Sequence, residues 1–594
     1  MLQLLSAQVM AQPCANHTTL RQPFFGDLHV HTRYSLDAAT QGTLTSPAQA
    51  YQFAKGQALG IQPWLDGRPQ RTMRLTRPLD FAMVSDHAEL LGEVAICDNP
   101  EHPATDTWQC QMYRKFPRGA YYWFNYWSAM QAERVGFCDG KTCQHAAAGP
   151  WQDMQKAAAE ETVDCQFSAF VGYEWTGGKS GDKAGNIHRN VVFKNLNVPT
   201  LPVSYLEQQS PYGLFDALDQ QCQDDCGALV IPHNSNLSAG IMFEEPTSKA
   251  QADQRRRYEV LAEIMQHKGA SECFFDPLGN TDELCAFERL DHRSMVDSSA
   301  PQKSDGWLRE TLLEGLTASV KFGSNPFEFG FIGSTDTHLG TPGLVQEKAF
   351  VGHGGAGLPA RIEVPPGLPD YLQYNPGGLA VLWAEENRRA SLFAAMQRRE
   401  AYATSGVRMT VRLFAGTQLP ADMCAGQFAE LGYQHGTPMG GQVPFNNAAG
   451  AMKIAVSAAQ DARSNGLERI QLIKGWLDSQ GQTQVKVVDI NSAATVAELD
   501  VSTCEHRGVS TAELCQVWED PEFDANQPAW YYARVLEEPS CRWSQHMCVA
   551  AKVDCDNPET VAEGYEGCCD VAHRRTIRER AWTSPVWFQP DRNN

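Results

Sequence analysis

Three observations in the sequence predict an α/β fold whose strands run in parallel around one barrel. First, short apolar runs recur between positions 24 and 338: FFGDLHVHT, LDFAMVSDH, FSAFVGYEW, HRNVVF, ALVIPHN and FGFIGSTDTH. Runs of this length bounded by turn residues read as buried strands. Second, helical patterns alternate with the runs, as a repeating strand–helix unit requires. Third, histidines and carboxylates sit at the ends of the runs. In a parallel barrel, residues at the strands' C-terminal ends converge on one mouth, where active sites of that architecture lie.

Taken in order, residues 1–22 read as an N-terminal tail or the remnant of a secretory signal. MLQLLSAQVMAQ is weakly apolar and ends on small residues, without a basic start. Residues 23–408 carry the barrel, with helical segments at 46–56, 151–161, 212–222, 305–322 and 385–400. Two stretches, 97–150 and 239–303, read as long irregular insertions that shape the pocket. From 409 to 594 the texture changes. MTVRLFAG, MKIAVSAAQ, LERIQLIKGWLD, TQVKVVDI and AWYYARVLEE are β-rich with turn residues between them, which predicts an accessory β-sandwich-like domain.

A chain of 594 residues exceeds one core, so two domains are expected. Lys and Arg number 49 against 70 Asp and Glu, a net charge of −21. That balance argues against bulk nucleic-acid binding, which needs basic surface to neutralise phosphates. No run of about eighteen apolar residues occurs, so no transmembrane helix is expected. The 18 cysteines include pairs close in sequence: Cys97 with Cys110, Cys138 with Cys143, Cys222 with Cys226, Cys273 with Cys285, Cys504 with Cys515, and Cys541 with Cys548. Either Cys138–Cys143 or Cys222–Cys226 supplies half a zinc site, but no matching half follows. Disulfides and a periplasmic or secreted location are therefore the expectation. Cys568 and Cys569 are adjacent, which makes local pairing of both difficult.

The candidate site is His29, His31, Asp37, His87, Glu174, His188, His233, Asp336 and His338. His29-x-His31 and Asp336-x-His338 each place two ligand types on one face of an extended segment, because side chains alternate with period two. Glu174 ends a buried run, where an uncompensated carboxylate is costly and a bridged cation relieves the cost. With histidine and carboxylate but no thiol, the set suits several divalent metals. GYEWTGGKS resembles a phosphate-binding loop but has one residue too many before its Gly-Lys-Ser. No G-x-S-x-G motif is present, which weighs against a serine hydrolase of the α/β-hydrolase type.

The blocks GDLHVHTRYSLD, DFAMVSDHAE, GYEW, IPHNSN and GSTDTH resemble the PHP (polymerase and histidinol phosphatase) superfamily of metal-dependent phosphoesterases. Within it, RPLDFAMVSDHAELLG, HRNVVFKN, EIMQHKGASEC, NPFEFGFIGSTDTHLGTPG and REAYATSGVR resemble a bacterial branch that carries a domain-of-unknown-function label. The resemblance implies a distorted seven-stranded (β/α) barrel and a cluster of two to three metals, zinc, manganese or iron, with magnesium or calcium admissible. By position it implies that His29, His31, Glu174 and Asp336 hold one metal. Glu174 would bridge to a second held by His188 and His233, and Asp37, His87 and His338 would hold a third. Asp37 stands where several members have histidine, which makes that third site harder.

The function expected is hydrolysis of a small anionic phosphate ester by metal-activated hydroxide. Asp336, His338 or a metal-bound water would assist the leaving group, Arg189 would clamp the oxyanion or else serve as a surface or structural arginine, and Asn234 and Asn236 would orient ligands. The alternatives are the same site acting on sulfate or carboxylic esters or lactones, and a non-catalytic exported binding protein with structural metals.

Overall fold

The computed structural model describes residues 12–137, 140–179, 185–276, 280, 282–290, 306–354, 367–444 and 450–590. Each apolar run becomes a strand: β1 (Gln22–Asp27), β2 (Phe81–Val84), β3 (Ser168–Trp175), β4 (Arg189–Phe193) and β5 (Ala228–Pro232). They continue with β6 (Leu261–Gln266), β7 (Gly330–Gly333), β8 (Leu379–Ala384) and β9 (Ala401–Thr404). The strands β9-β8-β1-β2-β3-β4-β5 lie side by side in one sheet, and β6 pairs with β7 in a second.

The sheet is mixed rather than all parallel. β1, β2 and β3 run parallel, but β4 is antiparallel to both β3 and β5, and β8 is antiparallel to β1. No closed ring of ladders forms among the described residues: β5 ends the large sheet and β6–β7 stand apart from it. A parallel bridge from Val30 to Thr337 ties the segment after β7 to the segment after β1.

Period-two alternation decides which side chains meet. Phe24, Phe81, Met83, Phe170, Val192, Leu229, Ile231, Leu261, Ile332 and Leu382 form one buried cluster. Their neighbours Phe25, Ala82, Val84, Val171, Val191, Val230 and Val381 belong to another, shared with Tyr51 and Phe53 of the helix Pro47–Ala54. One face of every strand thus contacts a common interior and the other contacts helices. The helix Arg389–Gln397 adds Leu392, Phe393 and Met396 to the interior cluster. Helix starts follow local chemistry. Ser46 accepts from the Gln49 N–H while Gln49 Oε1 accepts from the Ser46 N–H, a reciprocal cap on Pro47–Ala54.

The expected helices form as Pro47–Ala54, Ala148–Glu161, Pro211–Gln221, Leu308–Phe322 and Arg389–Gln397. Among the described residues, both expected irregular insertions contain regular elements. The first folds into helices, among them Trp108–Lys115 and Pro117–Asn125, stapled to Leu91–Asp98 by Cys97–Cys110. The second contains the helix Lys249–Tyr258 and the strand β6, whose apolar run is broken by Glu263.

Beyond position 408, Thr410–Gly416, Lys453–Ala459 and Glu513–Glu519 form a small antiparallel sheet. Leu467–Leu477 and Thr483–Ser492 instead extend the large sheet through Ala529–Glu537. Ala529–Glu537 pairs with Arg580–Thr583, which pairs with β9. Leu413, Ile454 and Val456 of the small sheet and Ile470, Leu472 and Val535 of the large one belong to one buried cluster, so the β-rich C-terminal region is continuous with the large sheet.

Eight disulfides form among the described residues, and no described cysteine is free. Cys97–Cys110, Cys222–Cys226 and Cys273–Cys285 pair as expected. Cys504–Cys515 and Cys541–Cys548 do not: the bonds are Cys424–Cys515, Cys504–Cys541 and Cys548–Cys568. Cys569 bonds Cys555, so the adjacent pair bonds two different partners, and Cys14 bonds Cys165. The expected Cys138–Cys143 bond involves Cys138, which lies outside the described residues. So dense a disulfide set fits an oxidising compartment, and no described helix is long and apolar enough to cross a membrane.

Candidate metal centre

All nine predicted histidine and carboxylate residues come together at one end of the strands. His29 and His31 follow β1, His87 follows β2, Glu174 lies near the end of β3, His233 follows β5, and Asp336 and His338 follow β7. His188 precedes β4, yet it reaches the same place because β4 runs antiparallel: its first residue Arg189 pairs with Trp175 and with Pro232.

Glu174 is the hub. Its Oε1 lies 3.1 Å from His188 Nδ1 and 3.3 Å from His233 Nε2. Its Oε2 lies 3.1 Å from His29 Nε2 and 3.3 Å from His31 Nε2. Asp336 Oδ1 meets the same two imidazoles, at 3.3 Å from His29 and 3.1 Å from His31. Asp37 Oδ2 meets His87 Nε2 at 2.9 Å and His338 Nε2 at 2.8 Å. Ligand-competent atoms therefore gather in overlapping groups: His31, Asp37, His87 and His338; His29, Glu174 and His233; His29, His31 and Asp336.

Four imidazoles are held from behind with Nε2 facing inward. His29 Nδ1 faces Glu263, His31 Nδ1 faces Ser35 Oγ at 2.9 Å, His87 Nδ1 faces Thr176 Oγ1, and His338 Nδ1 faces the Asp336 carbonyl at 2.9 Å. Such backing fixes the tautomer that leaves Nε2 as donor to a metal. Two further carboxylates fasten the loops. Asp27 accepts from the N–H groups of His29, Thr335 and Gly343, and Asp86 accepts from the Thr32 N–H and the hydroxyls of Thr32 and Ser35. Asp86 is thus a loop fastener rather than a ligand. Asp336 sits at φ 54°, a left-handed conformation that Asp tolerates better than most residues.

The electrostatics show a centre short of positive charge. Burial raises the pKa of Glu174, Asp37 and Asp336, yet the surrounding histidines, and Lys268 beside Asp336, hold all three well below the usual carboxylate range. Burial lowers the His31 and His87 pKa values, but the adjacent carboxylates outweigh it and push both up to about 9. His233, buried and beside His29, falls to about 4, and buried His338 also falls to about 4. Asp37 Oδ1 and His233 Nδ1 are buried without a hydrogen-bond partner. A donor set of imidazole and carboxylate at this spacing fits divalent cations.

Arg189 does not serve as an oxyanion clamp. Its guanidinium is fully buried, paired with Glu259 at 2.7 Å and donating to the carbonyls of Ile187 and Met242. Alternation along the strand accounts for it: His188 faces the mouth, so its neighbour faces away. Asn236 bonds Lys268 O through Nδ2 and Ser271 Oγ through Oδ1, so it anchors the loop after β6 rather than a ligand histidine.

That loop is what the sequence reading missed. β6 and the residues after it supply Glu263 behind His29, Gln266 and Lys268 on Asp336 Oδ2, and His267 at 3.2 Å from the same oxygen. His267 stacks on His353 with ring centroids 4.2 Å apart, and Asp370 accepts from the His353 N–H groups. The available signal was EVLAEIMQHK, an apolar run closing on a histidine like the others.

The centre opens on a cavity of about 290 Å³. Asp37, His87 and His188 line it together with Tyr121, Tyr122, Tyr126 and Met130 of the first insertion.

Strand-end histidines and carboxylates gathered around a hub glutamate, in a disulfide-bonded mixed α/β protein, define a candidate metal-binding protein. The chain belongs to the family described as "Protein of unknown function (DUF3604)", which matches residues 18–590. No curated protein and no solved structure matches it.

Proposed function

We propose that this chain is an exported, metal-dependent hydrolase of phosphate esters built on a PHP-type barrel. The observation that carries the reading is the convergence of nine residues, eight from the ends of six strands and Asp37 from the short helix Leu36–Ala39, with four imidazoles braced behind Nδ1. Support for the barrel comes from the common interior cluster that β1 to β8 share across both sheets. The disulfides support a periplasmic or secreted location.

His29, His31, Glu174 and Asp336 would hold one cation, His188 and His233 with Glu174 a second, and Asp37, His87 and His338 a third. When bound, divalent cations supply Lewis acidity, acidifying water and neutralising an anionic ester. The chain's own residues orient that chemistry. Gln266 and Lys268 occupy Asp336 Oδ2, which leaves Oδ1 to the two histidines of β1's extension. His338 has both ring nitrogens engaged, by the Asp336 carbonyl and by Asp37, which favours a holding role over proton donation. Asp37, His87 and His188 are the least buried members, at 16%, 13% and 13% side-chain exposure, so the ester meets the centre at their edge.

The test is a panel of phosphate mono-, di- and triesters beside an aryl sulfate and a carboxylic ester. It uses protein stripped by chelation and reloaded separately with zinc, manganese and iron. Phosphate hydrolysis that chelation abolishes and metal restores is expected. Turnover of the sulfate or carboxylic ester alone would overturn the phosphoesterase assignment, and stoichiometry below one metal would overturn the centre itself.

A further inference from the structure

The insertion between β2 and β3 places three tyrosines against the candidate centre in a way the hydrolase reading does not use. Pro117–Asn125 and the turn Tyr126–Met130 are rigidly seated: Phe124, Ala120, Tyr113 and Val135 pack with Leu90 and Val94 in a separate buried cluster, stapled by Cys97–Cys110. From that base Tyr122, Tyr126 and Met130 project outward, 56%, 47% and 37% exposed. Single exposed apolar residues need no explanation, but a contiguous group marks an interaction or ligand-binding site, and these three line one cavity. Tyr121 meets Tyr122 edge to face at 5.2 Å, so the wall presents rings at two orientations.

The same cavity is also lined by Asp37, His87 and His188, with Thr176 and Asn186. No lysine or arginine is among the lining residues. The cavity therefore combines aromatic rings of the insertion with ligand-type side chains of the strand ends. At about 290 Å³ it falls at the small end of ligand cavities, room for one ring carrying an ester group.

We propose that this cavity selects phosphate esters bearing an aromatic ring, the ring lying against Tyr121, Tyr122 and Tyr126 while the ester group meets the centre. The proposal rests on the phosphoesterase reading. The reaction is R–O–PO₃²⁻ + H₂O → R–OH + HPO₄²⁻: the water oxygen forms the new bond to phosphorus, the R–O–P bond breaks at phosphorus, and one water proton ends on the departing oxygen. No redox partner is needed.

Benzyl phosphate and n-butyl phosphate test it, because their alcohols leave with similar ease and differ chiefly in the ring. The metal-loaded full chain should favour benzyl over butyl phosphate by about tenfold or more in kcat/KM, the gain expected from burying and stacking one ring. In Tyr122→Ala/Tyr126→Ala, whose side chains are exposed and whose loss spares the packed base, that ratio should collapse toward one. Equal use of both esters by the unaltered chain would overturn the aromatic assignment and leave the phosphoesterase reading intact, as would a ratio unmoved in the double variant. If neither ester is turned over, calorimetry with benzylphosphonate and n-butylphosphonate decides. Tighter binding of the benzyl compound, lost in the double variant, would keep the aromatic cavity while the hydrolase reading falls. Equal or absent binding would overturn the cavity assignment as well.

Discussion

Glu174→Gln is the substitution that bears hardest on the centre. The glutamate lies within 3.3 Å of four imidazoles and shares both oxygens among them, so it is the atom set through which two proposed cations communicate. The change keeps size and shape while removing one negative charge. At an effective dielectric of about 20, a unit charge about 4 Å from a cation contributes ~4 kcal/mol for each unit of cation charge. That corresponds to a weakening on the order of a thousandfold for each unit of charge on a cation that Glu174 shares, and so on the order of a million-fold for a divalent one. The assay is elemental analysis after equilibrium dialysis against graded free manganese or zinc, run beside the unaltered chain, with circular dichroism to establish folding. The unaltered chain should retain two to three equivalents, and Glu174→Gln should lose at least one at free-metal levels that saturate the parent. A folded Glu174→Gln that binds the same number of cations with unchanged affinity would refute the argument that this carboxylate bridges.

Three further outcomes follow from other contacts. Glu272 is buried among Arg309, Arg534, Tyr532 and Trp582, and despite burial the two arginines hold its pKa far below the usual 4.5. Because the folded value is depressed, its stabilisation is complete above about pH 4.5 and is lost as pH falls below it. Glu272→Gln should cost about 3–5 kcal/mol at neutral pH by stranding buried guanidinium charge, and should flatten the acid limb of a melting-temperature profile. An unchanged acid limb would sink this. Lys268→Met removes a buried ammonium from Asp336 and should raise cation affinity on the order of 100-fold, since the ammonium competes for that carboxylate; weaker metal binding would contradict it. Cys14–Cys165 closes a span of 151 residues, worth about 5 kcal/mol by chain entropy. Replacing both cysteines by serine should lower the melting temperature by about 4 °C for a chain of this length. No change would show that the span is constrained by other contacts in the unfolded chain.

The residues at the centre were legible because strands end where apolar runs end, and five of the six runs close on a histidine or a carboxylate. What was not legible is strand direction. His188 opens its run instead of closing it, which looks like an exception until β4 proves antiparallel and its first residue lies beside the last of β3. The same direction corrects Arg189: adjacency in sequence to a ligand-type residue is adjacency to the opposite face in a strand. β6 was passed over because Glu263 interrupts its apolar run, and a charged residue inside such a run normally marks a solvent-facing position. Here it is buried and faces His29. Cysteine pairing failed where proximity in sequence was the guide. Cys515 lies within the strand Glu513–Glu519 and Cys504 in the turn before the strand Glu505–Arg507, and they bond Cys424 and Cys541 respectively.

The helical insertion was legible only as length, since YYWFNYW carries apolar residues on more than one face and fits no clean helical stripe. The structure supplies the reason for that pattern. Ala120 and Phe124 are buried in the insertion's own core, while Tyr122 and Tyr126 face outward, two residues on from each. A helix that served packing alone would gain nothing from the second set, and leaving those rings in water carries a hydrophobic cost. With a net charge of −21 and no lysine or arginine among the lining residues, the proposed cations are the main attraction for the phosphate group of an ester. Aromatic contact is then the remaining means of discriminating one small anionic ester from another. The same insertion that looks irregular in the sequence is, on this argument, the part of the chain that decides which ester reaches the centre.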